Sequence, residues 1–147
     1  VPKVATFKDY KAEFAKNNVI VKDGTDTVGF IDKAPVKARE TVLGVGKYFG
    51  KEVVVSGWSH HGNKNNFDIS QNSSKFDASD LYKPEFKNWL KTTGYAVVYE
   101  HKGSTASPVY KNLKPGEVVT SKWNNNTTAD HYHFEYVGGS DPRPATF

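Results

Sequence analysis

The chain has no cysteine and no methionine among its 147 residues. The first absence excludes a disulfide framework, an iron–sulfur cluster, a thiol nucleophile and every cysteine-based zinc finger. A metal site here must therefore be built from His, Asp and Glu alone. Arginine is scarce too: of twenty basic side chains, only Arg39 and Arg143 are arginines. Base and phosphate recognition leans on the arginine fork, and no basic run longer than a pair occurs, which argues against a nucleic-acid partner. Long apolar runs are missing as well. Stretches such as Val53-Val54-Val55 fall far short of the ~20 residues of a membrane span, so no span is expected. No charged and apolar leader stands at Val1, as in the mature form of a secreted protein, and an extracellular location is expected.

What is present points to a folded domain. Three Trp, eight Tyr and nine Phe supply the bulky apolar surface that a disordered tail lacks. The net charge of +4 is a diffuse lysine excess, suited to a soluble surface that tolerates an anionic polymer such as a bacterial wall. With no internal repeat and no linker, residues 1–147 read as a single domain and a monomer. Residues 52–138 form its core, and 1–51 a helix-hairpin extension.

Apolar spacing predicts a helix over 6–17 (Phe7, Tyr10 and Phe14 on one face, Thr6 and Asp9 at its cap) and a hairpin over 19–31 around Asp23-Gly24-Thr25-Asp26. Pro35 opens a short helix that Gly44 closes, and residues 79–93 form a second amphipathic helix ended by Gly94. Strands are expected at 52–58, 66–70, 95–100, 117–123 and 132–137, with a turn at Lys114-Pro115-Gly116. The fold class is α+β, with helices packed on one side of a mainly antiparallel sheet.

Two polar groups stand out against this frame. One is Ser59-His60-His61 leading to Phe67-Asp68-Ile69; the other is Asp130-His131-Tyr132-His133-Phe134-Glu135. On a strand, His131 and His133 share a face while Tyr132 and Phe134 share the other. Asp68 between Phe67 and Ile69 is an expensive place for a carboxylate unless something pairs with it. A divalent cation held by His61, Asp68 and His133 would compensate that cost, and two His with one carboxylate is a catalytic zinc ligand set. His60 is an alternative ligand, and His101 sits at a strand end. Arg39 is a candidate for holding a substrate carboxylate, or else a surface residue. Trp58 and Trp123 are either core or a platform for sugars.

The order Ser59-x-His61, six residues, Asp68, then Asp130-x-x-His133 resembles the zinc peptidases that cut bacterial peptidoglycan peptides. These comprise the D-Ala-D-Ala carboxypeptidases, the D,D-dipeptidases of vancomycin resistance and the L-alanyl-D-glutamate endopeptidases. Val54-Val55-Ser56-Gly57-Trp58 and Trp89-Leu90 before Tyr95 are similar to further segments of that family, so the likeness covers about residues 52–138. His131-Tyr132-His133-Phe134 also resembles the lysostaphin-type endopeptidases, whose first His and Asp stand closer together. The chain departs from the first family at Lys64 and Asn66, where Gly and Ala are usual, and at Ser59, where an Arg is usual.

The resemblance implies a zinc-peptidase core, a zinc cofactor on His61, Asp68 and His133, and cleavage of peptidoglycan stem peptides. The acid-x-x-His analogy makes Asp130 the proton acceptor, whereas strand parity makes it His131, which shares a face with His133. Ser59 is a candidate for orienting substrate or ligand. The competing expectations are an extracellular glycan- or protein-binding module, and a descendant of the peptidase fold without catalysis.

Overall fold

A computed structural model describes residues 9–59, 61–102, 112–123 and 130–138, with backbone alone for 101, 102 and 121–123. Thr6, Phe7, His60, Arg143 and the side chains of His101 and Trp123 lie outside the described residues. The elements are α1 (Tyr10–Lys16), β1 (Val19–Val21), α2 (Phe30–Lys33), α3 (Val36–Phe49), β2 (Val53–Gly57), β3 (Phe67–Ser70), a 3-10 turn (Ala78–Tyr82), α4 (Pro84–Thr93), β4 (Tyr95–Lys102), β5 (Val118–Trp123) and β6 (His131–Tyr136).

The strands make one mixed sheet in the order β1-β2-β3-β6-β4-β5. Its inner pairings β2–β3, β3–β6 and β6–β4 are antiparallel, and the outer pairings β1–β2 and β4–β5 are parallel. Alternation divides the sheet into two unlike faces. Phe67, Ile69, Tyr132 and Phe134 join Phe14, Phe30, Leu43 and Leu90 from the helices in one buried cluster. The Phe67 and Phe134 rings stack at 4.9 Å, directly across the β3–β6 ladder. Burying each contributes on the order of 2–3 kcal/mol, which anchors the two strands that carry the polar residues of the opposite face.

Several local expectations give way to tertiary packing. Residues 19–31 do not form a hairpin: β1 pairs in parallel with β2 (Val19 with Val53), and the second half becomes α2 behind Gly29, whose φ of 83° favours glycine. The residues before 52 are accordingly no extension, since β1 is a strand of the main sheet and Phe14, Phe30 and Val42 belong to the main core. Helix α3 does not end at Gly44 but runs to a cap at Gly50, with φ 61°. At Gly44 the Trp89 ring of α4 comes so close that an added Cβ would lie 2.2 Å from it. That glycine serves helix–helix approach rather than termination. The helix expected over 79–93 breaks at Lys83, because a residue before proline is pushed out of the helical region, and restarts at Pro84. Asp9 caps α1 by accepting from the Ala12 N–H at 3.1 Å.

Candidate metal centre

The polar residues collect on the sheet face away from the helical core. In the β3–β6 ladder, Asp68 stands opposite His133 and Ser70 opposite His131. In the β4–β6 ladder, Val98 stands opposite His133 and Glu100 opposite His131. Because β6 lies between β3 and β4, its alternating His131, His133 and Glu135 form the axis of the site. Register also shifts between β2 and β3, so that glycine (Gly57) stands opposite Asp68. Such irregularities re-aim the chain beside functional sites.

From β2 the chain turns sharply. The Trp58 and Ser59 N–H groups both donate to the Asp26 carbonyl, and the His61 N–H donates back to the Trp58 carbonyl at 3.1 Å. The loop is tied further by the Trp58 indole N–H on the Lys64 carbonyl (3.0 Å), the Tyr95 hydroxyl on the Asn65 carbonyl (2.7 Å) and the Lys64 ammonium on the Ser59 carbonyl. These bonds return His61 to the sheet, where its ring centroid lies 4.9 Å from that of His133.

Asp68, 6% exposed, is the hub of the cluster. His61 Nε2 lies 3.1 Å from Oδ2, His133 Nδ1 lies 3.0 Å from Oδ1, and His131 Nε2 lies 3.9 Å from Oδ1. Burial by itself would raise the Asp68 carboxyl. Hydrogen bonding from His133, contact with His61 and the nearby His131 outweigh burial and hold it well below the usual carboxylate range. For His133, burial alone would lower the pKa, but the carboxylates of Asp68 and Glu135 outweigh it and raise the value from 6.5 to about 9. Without a metal, the buried carboxylate is thus compensated by an imidazolium.

The donor chemistry fits a cation. One ligand atom from each of His61, Asp68 and His133 can be chosen so that all lie within 4.8 Å of one another, and the cluster could hold a metal ion. Two imidazole nitrogens with one carboxylate oxygen suit a borderline-soft ion better than Ca²⁺ or Mg²⁺, which prefer oxygen cages. Asp68 also contacts both histidines directly.

Beside this trio, His131 Nε2 and Glu100 Oε2 stand 2.6 Å apart, and Glu100 is only 2% exposed. Sequence reasoning did not single out Glu100. Its signal is parity: it continues the row Ala96, Val98, Glu100 on the site face of β4, but its partner is set by a ladder that only the fold reveals. Asp130 stands one residue before β6, on the parity of Tyr132. The phenols of Tyr99 and Tyr132 are raised chiefly by burial, with the Asp130 carboxylate adding to the shift of each. Ser59 is engaged by its hydroxyl with the Thr25 carbonyl and the Asp26 carboxylate. Arg39 donates to the Ile31 carbonyl at 3.1 Å and lies over the Tyr10 ring, among the helices. The structure therefore brings His61, Asp68, His131 and His133 together and seats Ser59 and Arg39 elsewhere. Trp58 is core, packed edge-on against Phe30.

Among the described residues no helix is long and apolar enough to cross a membrane. Comparison with protein families, with curated proteins and with solved structures finds no match for this chain.

Proposed function

We propose that the chain is a secreted zinc-dependent peptidase acting on peptide bonds in bacterial peptidoglycan stems. The observation that carries this reading is the convergence of His61, Asp68 and His133 within 4.8 Å, beside the His131–Glu100 pair. It is supported by the motif resemblance over residues 52–138 and by the lysine-rich charge of +4, which suits an anionic wall. His61, Asp68 and His133 hold the metal. The chemistry that zinc supplies when bound is polarisation of a carbonyl and a lowered pKa for bound water.

The chain's own acid–base couple is His131 Nε2 with Glu100 Oε2. It takes a proton from the attacking water and returns it to the leaving amine, so that water adds across the peptide bond with no net proton change. The Glu100 side chain, 2.6 Å from the imidazole, orients the ring and stabilises the imidazolium formed in between. His131 rather than Asp130 fills this role, because it shares a strand face with His133 and lies 3.9 Å from Asp68.

A second reading is favoured by the contacts that the three ligands make with one another. In a binding module of glycan or protein, descended from such a fold, Asp68 and its histidines would persist as a self-compensated polar network. Incubating zinc-loaded protein with purified walls separates the two. New amino termini in the released fragments support the peptidase, and tight wall binding without any cleavage supports the module.

A further inference from the structure

Behind His133, on the side away from Asp68, stands a second carboxylate. His133 Nδ1 lies 3.0 Å from Asp68 Oδ1, and its Nε2 lies 3.5 Å from Glu135 Oε2. Glu135 does not stand alone. Its other oxygen, Oε1, accepts from the side-chain amide of Asn66, and the Asn66 amide oxygen accepts from the Tyr136 N–H at 2.9 Å. That backbone donor decides which way the Asn66 amide faces, leaving its NH₂ for Glu135. Asn66 is buried, at 6% exposed, and it extends the β3–β6 ladder by one step, opposite Glu135. Hydrogen bonds thus link the Tyr136 backbone, Asn66 and Glu135 in a chain, and its last contact, from Glu135 to His133 Nε2, is at ion-pair rather than hydrogen-bond geometry.

From this chain we infer that Asn66 and Glu135 are positioning residues for the metal centre: together they hold the proton on His133 Nε2, so that Nδ1 is the nitrogen presented toward Asp68 and a divalent cation of the zinc type. The inference rests on the metal-centre reading above and deepens it. An imidazole that ligates through one nitrogen must carry its proton on the other, and a carboxylate there fixes the tautomer and the ring while raising ligand basicity. Glu135 can do this only if its own rotamer is fixed, which is the part Asn66 plays. Position 66 is one of the places where the chain departs from the resembled motif, and a small apolar residue there would leave Oε1 without this donor.

The test compares wild type with Glu135→Ala, Asn66→Ala and Glu135→Gln. Zinc affinity is measured by competition with a chromophoric chelator, and the His133 ring by long-range ¹H–¹⁵N spectra of the zinc-loaded protein. Wild type should show His133 metallated at Nδ1 and protonated at Nε2. Glu135→Ala should bind zinc about 10–100-fold more weakly, with Asn66→Ala between it and wild type. Glu135→Gln, whose amide oxygen still accepts from Nε2–H, should recover most of the affinity, which a merely space-filling role would not require. Melting of the zinc-free variants separates these effects from loss of the fold; if Glu135→Ala does not fold, the Gln and Asn66 variants decide. Wild-type affinity in both Glu135→Ala and Asn66→Ala, with an unchanged His133 spectrum, overturns the inference alone. A wild type that binds no zinc overturns the metal-centre reading together with it.

Discussion

In zinc-free protein, the Asp68–His133 contact makes stability depend on pH in a direction that can be worked out. His133 is raised from 6.5 to about 9 in the folded state, so its contribution is complete below 6.5 and is lost as pH climbs through 9. Asp68 is depressed, so its contribution is present above the ordinary carboxylate range and is lost as pH falls below it. The stability contributed by the pair should therefore be greatest between roughly pH 4.5 and 6.5. At ~1.4 kcal/mol per pH unit, the His133 shift corresponds to about 3 kcal/mol lost between pH 6 and pH 10. For a domain of this size that is on the order of 6–12 °C in melting temperature. Calorimetry in chelator across that range reads it directly, with His133→Gln as the control that should flatten the alkaline limb. A wild-type melting temperature that stays level or rises from pH 6.5 to 9 would refute the coupling between Asp68 and His133. Zinc should restore the alkaline side, because the ion displaces the proton at Nδ1, and its affinity should tighten about tenfold per pH unit up to pH 9.

Other consequences are more local. His131→Ala and Glu100→Gln should keep zinc and lose roughly 10²–10⁴ in the rate of wall-peptide cleavage, whereas Asp130→Ala should stay within a few-fold of wild type; the reverse ranking would return the proton-transfer role to Asp130. Gly44→Ala should lower stability by about 1–3 kcal/mol, measured by urea unfolding, because its Cβ would meet the Trp89 ring at 2.2 Å. An unchanged midpoint would show that the α3–α4 contact is looser than described.

The parts of the site that were legible in the sequence are those that strand periodicity encodes. Asp68 between two apolar residues and the alternation of His131 with His133 both follow from a period of two, and the ladder sets Asp68 opposite His133. What escaped was set by partners distant in the chain. Glu100 looks like a strand-end surface residue until β4 is placed beside β6, and nothing local marks Asn66, at the start of the strand expected over 66–70, as the partner of Glu135. The same limit governed the fold. Asp23-Gly24 is a sound local hairpin signal, but Val19–Val21 finds a better partner in β2 beyond the α3 crossover. Gly44 resembles a helix stop because the sequence alone does not show the indole that requires it. Parallel edge pairings leave no local trace, since nothing in Val19–Val21 or Val118–Trp123 names the strand each will join.

Zinc stoichiometry of wild type and Asp68→Ala, purified side by side and measured by elemental analysis after dialysis against trace zinc, tests the metal centre most directly. Asp68 contacts both histidines of the trio, so its removal takes away one ligand and the counter-charge of the other two. One zinc per wild-type chain, removable by chelator and absent from Asp68→Ala, is the expected result. A zinc-free wild type, or full occupancy in Asp68→Ala, would contradict a metal site built from His61, Asp68 and His133.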